Sequence, residues 1–296
     1  MNPREVMRRV RRLEIRTRRL IQDSLAGSYH SVFRGRGMEF SEVREYMAGD
    51  DVRTIDWNVS ARSAHPYVKK FTEERELTVL LVVDASGSER FGTATETKAQ
   101  RSAEIAALLA FSAIRNNDRV GLILFTDRVE TFLAPRKGRE HGLRVLREVL
   151  TAEPEGRRTS IRTALEYLQR VVAKRAVIFL ISDFQDQGYE KTLRVLARKH
   201  DMVGIAVSDP REQQLPPVGL VSVRDPETGD TGLIDTSSAS VRSAYSRAES
   251  VRRDLLVDSF RRIGMDLLNL STDEDYEKPL ARFFRERARR AMRSGG

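Results

Sequence analysis

Near-continuous apolar runs, separated by amphipathic stretches of helix length, constrain this chain more than any other feature. Leu77 to Val83, Arg119 to Phe125, Ala176 to Ile181, Met202 to Val207 and Met265 to Leu270 are of strand length and apolar on both alternations. Between them, residues 95–115, 139–150, 160–173, 189–200 and 238–263 carry helical spacing. Strands that are apolar on both faces belong in a parallel sheet covered on both sides. The expected fold is therefore α/β: a doubly wound, mostly parallel sheet with helices on both faces. A polar–apolar alternation over 128–133 predicts an antiparallel edge strand. Residues 209–236 break the rhythm with a proline-rich loop and a hairpin across "DPETGD". The closing stretch "TDEDYEKPLARFFRERARR" predicts a helix that Pro279 should break or kink.

The remaining chain divides by composition. Residues 1–26 predict an Arg-rich amphipathic helix, with Pro3 in its first turn and Val6, Val10, Leu13, Thr17 and Leu20 at helical spacing. Residues 27–75 form a separate segment expected to pack on a domain of residues 76–275, and residues 276–296 form a basic helix and tail. The net charge of +9 sits at the two ends. Residues 1–36 hold ten Arg against Glu5, Glu14 and Asp23, and residues 282–293 hold six against Glu286. Such faces suit an acidic protein partner or an anionic membrane surface, or are simply solvated. Nucleic-acid binding is the weaker alternative, because no aromatic residues interleave the Arg runs. There is no cysteine, so disulfides and thiolate metal sites are excluded. No apolar run approaches the roughly twenty residues of a membrane helix, and the first twenty residues lack a signal peptide's apolar core. The expected location is the cytoplasm, with peripheral membrane contact through the Arg-rich N-terminal helix as an option.

The chemistry gathers at strand ends. In "LTVLLVVDASGSERFG" a buried strand finishes at Asp84, and Ser86 and Ser88 follow at alternate positions. "IFLISDF" finishes a second strand at Ser182 and Asp183, and Thr159 precedes a helix in "RRTSIRTAL". Ligands of open α/β sheets sit at such carboxyl ends. Asp84, Asp183, Ser86, Ser88 and Thr159 make an oxygen-only donor set, suited to a small hard cation, Mg²⁺ or Mn²⁺. The simpler alternative is that Asp84 and Ser86 only cap the following turn.

These five positions resemble the metal-ion-dependent adhesion site of von Willebrand factor A domains: Asp84, Ser86 and Ser88 match its first loop, Thr159 its second and Asp183 its third. The upstream stretch "VREYMAGDDVRTIDWNVSARSAHPYVKKFTEERE", with "NNDRVGLILFTD" and "STDEDYEKPLARFF", resembles the bacterial "domain of unknown function 58" family. That resemblance implies a von Willebrand A-like fold behind a family-specific N-terminal segment. It also implies a non-enzymatic adaptor or scaffold that works with a MoxR-type AAA+ ATPase in chaperone-like assembly. A partner's Asp or Glu would complete the metal's shell.

Within the signature, Asp50 or Asp51 should cap a short helix containing Ile55 and Trp57. Arg44, Arg53 and Arg62 should pair with Asp50, Asp51 and Asp56, and Trp57 should be a core anchor. The four histidines, His30, His65, His141 and His200, show no metal spacing, and no phosphate-binding glycine loop is present. The enzymatic rival is Mg²⁺-dependent phosphoryl transfer through Asp84. It is disfavoured by Ser86 two residues on and by the lack of a Lys at an evident strand end.

Overall fold

The computed structural model describes residues 39–293, apart from Gly49, Ala64, residues 73–75 and residues 94–95. The Arg-rich helix expected within residues 1–26 lies outside the described residues. The chain divides into two units, one of residues 34–76 and one that runs from Leu77 onward.

In the smaller unit, β1 (Glu39–Glu45) pairs antiparallel with β2 (Tyr67–Thr72). Between them Asp51 caps a 3₁₀ turn, Val52–Thr54, and Asp56 caps the single-turn helix α1 (Trp57–Ser60). Asp50 is not a cap. Its carboxylate takes both arms of the Arg44 guanidinium, at 2.7 and 2.8 Å, and the Met47 amide at 2.9 Å. Trp57 is not a core anchor either, being 70% exposed. It opens a helix of one turn, too short to build an apolar face around it.

The larger unit runs β3 (Thr78–Asp84), α2 (Lys98–Arg115), β4 (Arg119–Phe125), β5 (Val129–Arg136), α3 (Arg139–Leu150), α4 (Ile161–Val171) and β6 (Val177–Ser182). It continues with α5 (Glu190–Lys199), β7 (Asp201–Ser208), α6 (Pro210–Gln213), β8 (Leu220–Arg224), β9 (Thr231–Asp235), α7 (Ala239–Ile263), β10 (Asp266–Ser271) and α8 (Glu277–Arg293). Six strands form one sheet in the order β10-β7-β6-β3-β4-β5. All neighbours are parallel except β4 and β5, so the edge strand is antiparallel as its alternation predicts. β8 and β9 form a separate two-stranded hairpin.

Strand periodicity sorts the core into two layers. Val79, Leu81 and Val83 face one cluster with α2, α3 and α8, and Leu80 and Val82 face another with α4, α5 and α7. Full burial of each such side chain contributes about 1.5–3 kcal/mol, which fixes the register of β3 between its two helical layers.

Pro279 does not break α8, which runs uninterrupted from Glu277. Proline stands in the first turn, where the missing N–H has no intrahelical acceptor to lose. The helix buries Leu280, Phe284 and Ala288, with Phe284 edge-on to Phe179 of β6 at 6.3 Å. On its other flank Arg287 pairs with Asp201 and with Asp266, and Arg290 with Asp266 at 2.8 Å. Part of the basic C-terminal charge is therefore neutralised within the fold. Among the described residues no helix is long and apolar enough to cross a membrane.

Candidate metal centre

Strand order reverses at β3, so the carboxyl ends of β3 and β6 lie side by side at the switch point of the sheet. Asp84 ends β3 and Asp183 follows β6, and both are buried. Asp84 is held from two sides: Oδ1 accepts the Ser86 amide at 2.9 Å and Oδ2 accepts the Ser182 hydroxyl at 2.6 Å. The Ser86 and Ser88 hydroxyls lie 3.1 Å apart. Asp183 Oδ1 accepts the Gln185 amide at 3.0 Å. The next residue, Phe184, has a φ of 56°, a left-handed conformation that is an outlier for a bulky side chain. Ser182 accepts its amide at 3.0 Å, and its ring packs edge-on against Phe260 at 5.2 Å. These contacts hold the turn that places Asp183 beside Asp84.

Thr159 belongs to a second loop. It is half-buried before α4, and its loop is tied to the first by a 2.7 Å bond from the Gly87 amide to the Arg157 carbonyl. Its hydroxyl donates to Glu227 Oε1 at 2.5 Å, and its amide donates to Glu227 Oε2 at 3.3 Å. The structure thus gathers Asp84, Ser86, Ser88 and Asp183 into one buried group. Thr159 lies on the neighbouring loop tied to Gly87, its hydroxyl and amide both donating to Glu227.

Two residues that sequence reasoning missed complete the group. Glu89, fully buried, comes so close that it, Asp84 and Asp183 each place an oxygen within 4.8 Å of the others. Its Oε2 accepts the Ser102 hydroxyl at 3.0 Å, while its Oε1 has no partner. Lys98 stands at no strand end, as expected, but reaches the group from the first turn of α2. Its ammonium lies 2.6 Å from Asp183 Oδ2 and 2.6 Å from Glu212 Oε1, with none of its side chain exposed. One signal was available. The Thr97–Gln100 capping box makes Lys98 the first residue of α2, where the helix dipole opposes a cation, so another group must hold it.

Burial, and then the neighbouring Asp183, push the Asp84 carboxyl up to about 7. Burial raises Glu89 as well, helped by Asp183 and Asp84. For Lys98 burial acts downward, but Asp183, Glu89 and Glu212 together hold it above the ordinary lysine value. The cluster is rich in carboxylates: the Lys98 ammonium pairs with Asp183 and Glu212, and Arg252 donates to the Asp183 carbonyl at 3.4 Å, while Asp84 and Glu89 have no cation of their own within hydrogen-bond distance among the described residues. The side-chain donors of Asp84, Ser86, Ser88, Glu89 and Asp183 are all oxygens, and Glu89 Oε1 lacks a hydrogen-bond partner. A hard divalent cation fits this donor set.

The chain matches, over residues 42–254, the family described as "Protein of unknown function DUF58". The uncharacterized protein Rv1480 of Mycobacterium tuberculosis is 34% identical over 286 residues, covering 96% of this chain and 90% of the relative. The chain belongs to the DUF58 family. The uncharacterized protein Mb1516 of Mycobacterium bovis matches to the same extent. A similar solved structure, the conserved hypothetical protein BatB from Bacteroides thetaiotaomicron, is 14% identical with a TM-score of 0.46, over 72% of this chain and 99% of that one. In this DUF58 chain the matched span includes the smaller unit from Glu42, all the residues of the buried cluster, and Glu227; helix α8 lies beyond it.

Proposed function

We propose that this DUF58 protein is a divalent-metal-dependent protein–protein interaction module with a von Willebrand A-like fold. Ser86, Ser88 and Thr159 would hold Mg²⁺ or Mn²⁺ by their hydroxyls, and Asp84 and Asp183 would do so directly or through water. The supporting observation is the buried group of Asp84, Ser86, Ser88 and Asp183 at the sheet's switch point, with the partnerless Glu89 oxygen beside it. When bound, the ion supplies an electrophile for a carboxylate oxygen. The protein's own groups do the rest: Ser182 fixes the Asp84 carboxylate, and the Gln185 amide fixes Asp183. A partner's Asp or Glu would complete the site, and the resemblance of the signature segment suggests a MoxR-type AAA+ ATPase in an adaptor or scaffold assembly.

Calorimetry with Mg²⁺ and Mn²⁺ tests the reading. Wild type should bind one ion reversibly. Asp84→Asn should lose that binding while staying folded in EDTA, because its oxygen can still accept the Ser86 amide and its NH2 can donate to the Ser182 hydroxyl oxygen in place of the bond lost there. Equal Mg²⁺ binding by the variant would remove Asp84 from the site.

Lys98 favours one second reading, Mg²⁺-dependent phosphoryl transfer, in which an Asp84 oxygen bonds the phosphorus of a phosphomonoester as its P–O bond breaks. The alkoxide leaves and takes a proton from water, and water then hydrolyses the phosphoaspartate. An ammonium beside two aspartates suits a phosphate. Against it, both Asp84 oxygens already accept hydrogen bonds, and Asp183 and Glu212 engage the ammonium. Hydrolysis of p-nitrophenyl phosphate with a phosphoaspartate at Asp84 would establish this reading over the first.

A further inference from the structure

The β8–β9 hairpin is a two-stranded sheet that stands outside the main sheet, with Leu220 and Leu233 largely exposed. Two isolated strands are marginally stable in water, so something else must hold this hairpin in place. Its tip is built to present one carboxylate. Asp225 Oδ1 accepts the Glu227 amide at 2.8 Å and the Thr228 amide at 3.4 Å, and Gly229 supplies the positive φ of 83° that closes the turn. Glu227 then gives both of its oxygens to Thr159, one to the hydroxyl and one to the amide.

The neighbouring backbone is shaped for the same contact. Gly87 lies between Ser86 and Ser88, and a Cβ there would stand 2.6 Å from the Pro226 carbonyl oxygen and 3.0 Å from that of Arg157. Gly87 has an ordinary right-handed φ of −61°, so conformation does not demand glycine. Close approach of the hairpin tip does. Three loops therefore meet at Gly87 and Thr159, beside the candidate metal centre, and the third brings a carboxylate of the chain itself.

We propose that the β8–β9 hairpin is an intramolecular clasp in which Glu227 occupies the place a partner's carboxylate would take beside Thr159. The inference rests on the metal reading above and deepens it. A partner's Asp or Glu must displace Glu227 before it reaches the centre, so the site discriminates against weak or isolated carboxylates. A clasp closed about nine-tenths of the time lowers the apparent affinity of an external carboxylate roughly tenfold.

The test uses the full chain loaded with Mn²⁺, with acetate as the probe carboxylate. Binding of Mn²⁺ is read by loss of its free electron-paramagnetic signal, and acetate at the ion by relaxation of its carboxyl carbon. Glu227→Ala should bind Mn²⁺ and show about tenfold tighter acetate binding than wild type. Glu227→Asp, one methylene shorter, should fall between the two. Equal acetate binding by wild type and Glu227→Ala, with Mn²⁺ bound to both, would overturn the clasp and leave the metal reading intact. Failure of wild type and variant alike to bind Mn²⁺ would remove both.

Discussion

Lys98 and Asp183 form an ion pair of 2.6 Å in which neither side chain is more than 2% exposed. The pair links the start of α2 to the end of β6, so a helix from one layer supplies the cation for a carboxylate of the central sheet. It also sets the electrostatics of the candidate metal centre. The ammonium engages one oxygen of Asp183, leaving the other, braced by the Gln185 amide, for an ion or its water. A divalent cation bound there would join an existing charge network instead of entering an empty acidic pocket.

Lys98→Met should expose that arrangement. Removing one partner of a buried pair costs about 3–5 kcal/mol, because the stranded carboxylates keep their desolvation penalty. For a unit of this size that is a fall of roughly 10 °C in melting temperature in EDTA. Mg²⁺ should restore more of the variant's stability than it adds to wild type, because the ion replaces the missing charge. Thermal melts in EDTA and in Mg²⁺ decide it; an identical Mg²⁺ increment in both chains would mean that ion and ammonium do not share these carboxylates.

Gly87→Ala should act on the hairpin through sterics alone. The new methyl would meet two backbone carbonyls, neither of which can rotate away as a side chain could. The tip must lift, at a cost of about 1–3 kcal/mol for overpacking. Amide exchange at residues 225–230 should quicken while that of β3 and β6 stays slow. Unchanged protection at the tip would show that the hairpin is not seated against the Ser86–Ser88 loop.

How much of this was legible in sequence depends on whether a residue's role is local. Strand-end Asp84 and Asp183 are marked by the apolar runs that precede them, and the Asp-x-Ser-x-Ser spacing places both hydroxyls beside the first. The edge strand, the hairpin and the long α7 followed from periodicity and turn residues. Glu89, Glu212 and Glu227 carried no such mark. Each lies in a short polar stretch of the kind that covers any surface, and only the topology brings them to one end of the sheet. Glu212 even has a sufficient local explanation, its capping box with Asp209. Pro279 and Trp57 failed for a different reason: each effect depends on position within a helix, and sequence pattern locates helix ends poorly.

The burial of His200 predicts an acid sensitivity at a site distant in sequence from the candidate metal centre. The residue follows α5 at the start of β7, is 3% exposed, and neither ring nitrogen has a hydrogen-bond partner. Burial, and then Lys199 and Arg175, lower its pKa from 6.5 to about 4. Above pH 6.5 the ring is neutral in both folded and unfolded chains and contributes no pH dependence. Between pH 6.5 and 4 the unfolded chain binds a proton that the folded one refuses, so stability falls as pH falls, by up to about 1.4 kcal/mol per unit from this group. Below pH 4 both states are protonated and the loss levels off. His200→Leu keeps an apolar side chain in the pocket and removes the titration. Denaturant melts from pH 8 to pH 4 should show a shallower acid decline in the variant, with stability at pH 8 equal to or above that of wild type. Parallel declines in the two chains would show that His200 is protonated in the folded state and that the acid sensitivity lies elsewhere.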